Sequence, residues 1–400
     1  MKIVQVETIR PRIQSNLVFV QLRTDDGLTG LGEAFFGPKA VEAYIHESAA
    51  PILFSMDSAD PERVMMALKP YVGFQGSGAE TRGNAAIDVA LWDIRGKSTG
   101  QSLSQLFGGP VRDSIRCYNT CGGTQYMSTL TEMSSKNWGL PADGATTNDL
   151  EDLDAFLNRP GQLAKDLVAE GFTGMKVWPF DPAAEASGGN DISAAELKAG
   201  VKVFSEIRSA VGDKIDIMLE LHGLWRRPAV TRILKEVAEF KPFWIEDPLR
   251  PDAIDALVRL RDSTDIPIAI GETSVGRRGF LPLLSSGVAD YATVDIQWTG
   301  GIGEARRVAA LADTFAVPLA PHDCTGPVSL AASAHLAMSE PNGFIQEVSR
   351  AYLRTWYPEL VTGLPKVSNG ILHAPVGPGH GVSLRDDIDR VGVERILATG

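Results

Sequence analysis

The sequence predicts an α/β protein, a closed (β/α)8-type barrel carrying an N-terminal α+β domain. Three observations lead there. From about residue 115, short apolar runs alternate with helical segments, at 115–119, 174–178, 215–220, 243–246, 268–272, 291–295, 318–322 and 344–347. Eight such runs are the number that closes a barrel. Ahead of them, residues 2–12 and 16–23 alternate apolar and polar side chains, and "RTDDGLTGLGEA" adds a turn and a further short strand, the pattern of a small antiparallel sheet. Finally, Glu220, Glu246 and Glu272 end three consecutive runs at equal intervals of 26 residues, as the C-termini of successive barrel strands would.

Four hundred residues with 44% hydrophobic content suit a barrel of about 250 residues and a smaller companion. Residues 1–114 read as an α+β capping domain, with helical patterns at 38–49, 60–69 and 80–97. In the last of these, Ile87, Ala90, Leu91 and Ile94 share one face. Residues 115–350 read as the barrel. Within it, 122–150 is long and polar for a βα connection and reads as a lid or interface loop. Residues 351–400, opening through the Gly- and Pro-rich "TGLPKVSNGILHAPVGPGHGVSL", read as a segment returning to the capping domain.

A formal charge of −12 without a basic run argues against nucleic acid as a partner. No apolar signal core opens the chain, and no run reaches the ~18 apolar residues that span a bilayer, so a cytoplasmic protein without a membrane partner is expected. Cys117, Cys121 and Cys324 are odd in number and lack a CxxC pair, which indicates neither a disulfide framework nor a structural zinc site.

The chemistry gathers at the strand ends. Three carboxylates converging on one rim repel each other unless a cation lies between them, and an oxygen-only set favours a hard ion such as Mg²⁺. Acidic helix caps are the alternative reading of the same residues. Continuing along the chain, Asp295, His322 and Glu347 end the later runs. A histidine beside an aspartate from the neighbouring strand suits a general base, because the carboxylate fixes the tautomer and stabilises the imidazolium. His222 follows Glu220 by two residues, so strand alternation places it on the same side. His46, His335, His373 and His380 lie off the strand ends and read as structural.

These residues resemble the enolase superfamily, in its mandelate racemase-like branch, over essentially the whole chain. The resemblance rests on "AAIDVALWDIRGK" in the first domain, the ordered Glu220, Glu246 and Glu272, the Asp295/His322 pair and Glu347 on the last strand. It implies Mg²⁺-assisted abstraction of a proton α to a carboxylate, a type of site in which a Lys or His base works with Mg²⁺ on an enediolate. His322 would be the base, and Glu347, if protonated, would donate to the enediolate. Many relatives carry Lys-x-Lys on the second strand, where this chain reads "GFTGMKVWPFD". Lys176 matches the first lysine, and Trp178 stands in the place of the second. Lys176 then either neutralises the substrate carboxylate or enediolate, or packs its stem over the barrel mouth with a solvated tip.

In some acid-sugar dehydratases of this branch, of the galactonate dehydratase type, a histidine two residues beyond the first metal ligand protonates the departing hydroxyl, and His222 resembles it. Glu220 departs from the usual aspartate at that position by one methylene. Together these features point to a Mg²⁺-dependent dehydratase of an aldonic or related sugar acid giving a 2-keto-3-deoxy acid. A cycloisomerase, epimerase or racemase using the same enolate, and a non-catalytic metal-binding regulatory protein, are the competing readings. Trp178 and Arg226 are expected at the substrate, with Arg227, Arg277 and Arg278 as further anion contacts or solvated helix-end charges. The loops 33–39 and 71–78 are expected to set specificity. A homo-oligomer, dimer or octamer, is expected by resemblance alone.

Overall fold

The computed structural model describes residues 1–69, 78–129, 134–140 and 149–400. The loop expected at 71–78 therefore lies outside the described residues except for Gly78, as do 130–133 and 141–148 of the 122–150 region.

The first sheet is antiparallel. Strands β1 (Ile3–Pro11), β2 (Leu17–Thr24) and β3 (Thr29–Phe35) follow in sequence. The C-terminal strand Val393–Thr399 pairs with β1 on the open side, Gln5 opposite Thr399. The helix Ala79–Thr99 packs across this sheet, burying Ile87, Ala90, Leu91 and Ile94 against Val18, Val20, Leu22 and Ala34. It lies unusually close to β3. Gly30 and Gly32 share one face of that strand by its period of two, and a Cβ on Gly32 would stand 1.9 Å from the Ala86 carbonyl oxygen and on Gly30 2.0 Å from that of Ala90. Neither neighbour is a side chain that can turn away. Gly32→Ala is expected to destabilise the protein by about 3 kcal/mol, measured by urea unfolding, because backbone must shift to admit one methyl. A loss within experimental error would mean that the helix rides freely on the sheet.

The barrel strands are β4 (Ile115–Thr120), β5 (Gly174–Val177), β6 (Asp216–Glu220), β7 (Trp244–Glu246), β8 (Ile268–Ile270), β9 (Tyr291–Ala292) and β10 (Gln346–Val348). All pair in parallel in that order as far as β9. Leu319 then bridges Ala292 on one side and Gly343 on the other, and β10 pairs with β4, Glu347 opposite Tyr118. The ring is closed, and the fold is a modified TIM barrel with an N-terminal capping domain. The run at 318–322 contributes this bridge at Leu319 where a strand was expected, and Pro318 and Pro321, which carry no N–H, explain why no ladder extends there. Among the described residues, no helix is long and apolar enough to cross a membrane.

Three of the histidines off the strand ends, His46, His335 and His380, meet partners distant in sequence, and His373 is exposed at the end of the strand Ile371–His373. His46 faces the Thr8 hydroxyl at 2.8 Å, and His380 faces the Leu31 carbonyl at 2.8 Å. His335, in the helix Pro327–Ser339, is buried, with Nδ1 3.3 Å from the Ser104 hydroxyl and Nε2 without a hydrogen-bond partner among the described residues. Burial, with His380 adding repulsion, pushes its pKa down to about 4 from the usual 6.5. As pH falls through 6.5 the unfolded chain takes up this proton before the folded one does. The stability present above pH 6.5 is therefore lost progressively down to about pH 4, by about 3 kcal/mol. Urea unfolding of wild type and His335→Gln between pH 7.5 and 4.5 is expected to show a slope shallower by about one proton in the variant, and parallel curves would count against it.

Candidate active site

The functional side chains sit where the chain leaves the strands. Glu220 and Glu246 are the last residues of β6 and β7 and pair in register. Glu272 lies two residues past β8, beyond Gly271, whose φ of +127° turns the backbone off the barrel wall. One oxygen from each of the three glutamates lies within 4.8 Å of the others, and all three residues are buried. Glu220 Oε1 accepts the Leu221 and His222 backbone N–H groups at 2.9 and 2.7 Å, and Glu246 Oε2 accepts the Trp244 indole N–H at 2.9 Å. Among the described residues, Glu220 Oε2 and Glu272 Oε2 accept no hydrogen bond, and each faces a cationic nitrogen, Lys176 Nζ at 3.2 Å and His322 Nε2 at 3.5 Å. Burial pushes Glu246 up to about 8, with Lys176 opposing and Glu220 and Glu347 reinforcing the shift. Three buried carboxylates whose oxygens lie this close form an oxygen-only donor set that fits a hard divalent cation.

Lys176 on β5 is buried, and its Nζ lies 3.2 Å from Glu220, 3.1 Å from Glu246 and 2.8 Å from Glu347. The solvated tip allowed by its sequence context does not occur. Its ammonium also lies 5.9 Å from the centre of the Tyr118 ring. Desolvation works against the charge, but the surrounding carboxylates raise its pKa well above the ordinary value.

His322 Nδ1 lies 2.9 Å from Asp295 Oδ2, leaving Nε2 directed at Glu272 (3.5 Å) and Glu347 (3.8 Å). Asp295 is fixed in turn. Its other oxygen accepts the Trp298 N–H at 2.8 Å, and Thr325 donates to Oδ2 at 3.2 Å. The Trp298 ring lies against the imidazole, centroids 5.1 Å apart. Burial opposes protonation of His322, yet Glu272, Glu347 and Asp295 together hold its pKa well above the usual value. Glu347 Oε2 accepts the Asp323 N–H at 2.9 Å.

His222 reaches the site by a route other than strand alternation. β6 ends at Glu220, and His222 adopts φ +48° in a left-handed turn with Gly223 at +64°. Its Nδ1 lies 2.7 Å from Asp181 Oδ2. Desolvation lowers the stability of the imidazolium, but Asp181 and Glu220 override it and hold the pKa up to about 10. Asp181 had no distinguishing signal in the sequence, because an aspartate before a proline at a helix start reads as a cap.

These groups border a cavity of about 460 Å³, lined by Lys176, His222, Glu272, His322 and Glu347 from the barrel and by Phe36, Thr81 and Arg82 from the capping domain. Trp178 also lines it, packed between Tyr126 (5.5 Å), Phe156 (5.1 Å) and His222 (5.9 Å). Arg226, expected at the substrate, does not line the cavity. It is exposed at the start of the helix Arg227–Val237, where its backbone N–H bonds to Gly189. Arg227, Arg277 and Arg278 are exposed as well, Arg277 with Glu304 at 3.7 Å. Arg226 and Arg227 open a helix beyond the left-handed turn at His222 and Gly223, and Arg277 and Arg278 lie in the helix Gly276–Ser285 that follows Gly271. Arg82 and Asp181 are among the residues bordering this site that the sequence did not single out.

Closed parallel barrel, capping domain and a rim of three glutamates with a His/Asp pair define an enolase-type scaffold. The chain belongs to the mandelate racemase/muconate lactonizing enzyme family of that superfamily. Residues 4–108 match the family's N-terminal domain, and residues 161–388 match the enolase C-terminal domain-like model. Among its relatives, the D-galactonate dehydratase of Ralstonia pickettii (strain 12J) is 30% identical over 394 residues, covering 96% of this chain and 92% of its own. That of Xanthomonas oryzae pv. oryzae (strain PXO99A) is 30% identical over 384 residues, covering 93% and 89%. An enolase of the mandelate racemase subgroup from Agrobacterium tumefaciens superposes with a TM-score of 0.87 at 41% identity, covering 100% of this chain and 99% of that one.

Proposed function

We propose that the chain is a Mg²⁺-dependent dehydratase of a sugar acid, removing the proton α to the carboxylate and eliminating the β-hydroxyl to give a 2-keto-3-deoxy acid. The observation that carries this reading is a single cavity bordered by two imidazoles, each backed by its own aspartate: His322 with Asp295 and His222 with Asp181. The D-galactonate dehydratases at 30% identity support it.

Glu220, Glu246 and Glu272 would hold Mg²⁺, which when bound supplies positive charge to offset what builds on the substrate carboxylate. Lys176 and Glu347 add an ammonium and a hydrogen-bonding carboxyl beside it. With the charge of Glu272 offset by the bound cation, a neutral His322 would take the α-proton on Nε2, since Nδ1 is committed to Asp295. His222, held protonated by Asp181, gives its proton to the β-hydroxyl, which leaves as water. The enol so formed tautomerises to the ketone, and the proton on His322 is returned to C3 or solvent. Trp178, which cannot carry a proton, stands where a second base would, and this disfavours racemisation.

The test is incubation of the purified protein and Mg²⁺ with a panel of aldonic and aldaric acids, reading 2-keto-3-deoxy product by mass and semicarbazide absorbance. A loss of 18 mass units with a keto group supports dehydration. A product of unchanged mass would replace it with isomerisation through the same enolate.

A further inference from the structure

Four basic side chains line the cavity: Lys176, His222, His322 and Arg82. Three are neutralised by named carboxylates, Lys176 by Glu220, Glu246 and Glu347, His222 by Asp181 and His322 by Asp295. Arg82 is different. Among the described residues no carboxylate lies within ion-pair distance of its guanidinium, and its Nε is fully buried without a hydrogen-bond partner. A guanidinium carries five N–H donors and no acceptor, so among the described residues this arrangement leaves donors without a partner.

Its position adds to the imbalance. Arg82 lies in the first turns of the 21-residue helix Ala79–Thr99, whose N-terminus already carries partial positive charge, and Glu80 alone sits in the first turn to offset it. The Nη2 atom rests beside two glycines at helix starts. A Cβ on Gly37 would stand 3.5 Å from it and on Gly78 3.9 Å, and both residues have positive φ, +63° and +77°. Nothing projects from these positions to cover the guanidinium. Burial lowers its pKa from the usual value, with Glu80 and Asp295 opposing. The cation is thus half-buried with its Nε fully enclosed, without a carboxylate partner among the described residues, and borders the cavity from the capping-domain side, away from the barrel groups proposed to handle the reacting carboxylate.

We propose that Arg82 binds a second carboxylate at the far end of the substrate, so that the acid sugar taken by this protein is an aldarate, a polyhydroxy dicarboxylic acid. A planar fork of donors matches a carboxylate in bidentate fashion, and the pairing satisfies the buried Nε at the same time. The inference rests on the dehydratase reading above and narrows its substrate class. It also separates this chain from the relatives named for D-galactonate, an acid with a single carboxylate.

The experiment compares kcat/KM for aldarates (galactarate, glucarate) with that for the matched aldonates (galactonate, gluconate) and for 6-phosphogluconate, in wild type, Arg82→Gln and Arg82→Lys. Wild type is expected to prefer an aldarate by 100-fold or more. Arg82→Gln is expected to cut that preference at least 30-fold, with Arg82→Lys between the two because it keeps the charge and loses the fork. Preference for an aldonate or the phosphorylated acid in wild type, or an aldarate-to-aldonate ratio unmoved by Arg82→Gln, overturns the proposal. Should no acid be dehydrated, the dehydratase reading fails by itself. Calorimetric binding of the same acids with Mg²⁺ then decides the Arg82 site, with tighter aldarate binding that depends on Arg82 supporting it and equal binding overturning it.

Discussion

His322→Asn is expected to lower kcat for dehydration by about 10³- to 10⁴-fold and to abolish exchange of the substrate α-proton with D₂O, because it removes the acceptor on which both depend. His222→Asn is expected to lose dehydration comparably while retaining α-exchange. The enolate would still form, and only departure of the hydroxyl would lack its proton. Asn keeps a polar group of similar reach at each site, and circular dichroism and the unfolding midpoint serve as controls for the fold. The pairing of readouts matters more than either rate. Exchange lost in His222→Asn and kept in His322→Asn would invert the two assignments, and exchange lost in both would mean that neither imidazole acts alone. The geometry behind the expectation is the commitment of each Nδ1 to an aspartate, at 2.9 Å in one case and 2.7 Å in the other.

Arg350→Met is expected to destabilise the fold by about 3–5 kcal/mol, the cost typical of stranding a buried charge. Arg350 is buried and bonds bidentately to Asp152, itself fully buried, with Nη2 to Oδ1 at 2.6 Å and Nε to Oδ2 at 2.9 Å. Asn119 ties the pair to the barrel: it donates to Asp152 at 2.9 Å and accepts the Arg350 backbone N–H at 2.9 Å. Asn119 lies on β4 and Arg350 two residues beyond β10, so the cluster sits on the seam where the ring closes. Urea unfolding of Arg350→Met beside the double variant Arg350→Met/Asp152→Leu separates the causes. The double variant is expected to recover much of the loss, since Asp152 is gone and Glu170, which also pairs with Arg350, keeps Arg354 at 2.5 Å. Equal losses in both would attribute the effect to packing instead.

The barrel and its rim were legible because they repeat. One βα unit after another sets Glu220, Glu246 and Glu272 at equal spacing, and the same rhythm carries Asp295, His322 and Glu347 into place. Hydrogen-bond ladders were less legible than the runs that hold them. The run at 291–295 keeps only Tyr291–Ala292 as strand, and Glu272 lies beyond the end of β8, because side chains at the rim belong to backbone already leaving the sheet. Strand alternation was the ground for expecting His222 beside Glu220, but the strand ends at Glu220 and a left-handed turn carries His222 to the cavity. Arg82 and Asp181 stayed hidden for a different reason. Each comes from an element distant in sequence from the groups it serves, inside patterns that read as an ordinary helix and an ordinary cap. The Arg226 expectation failed because proximity in sequence to Glu220 was taken for proximity in space.

Pairing of Gln5 with Thr399 also sets a timetable for the newborn chain. β1 lies almost four hundred residues ahead of its outer partner in the chain, so it is synthesised long before that partner exists. Throughout that interval one side of the first sheet presents unpaired N–H and C=O groups, the template on which other nascent chains can add strands. Folding of the capping sheet is therefore finished only after the barrel segment has been synthesised, and conditions that slow elongation lengthen the exposure of that edge.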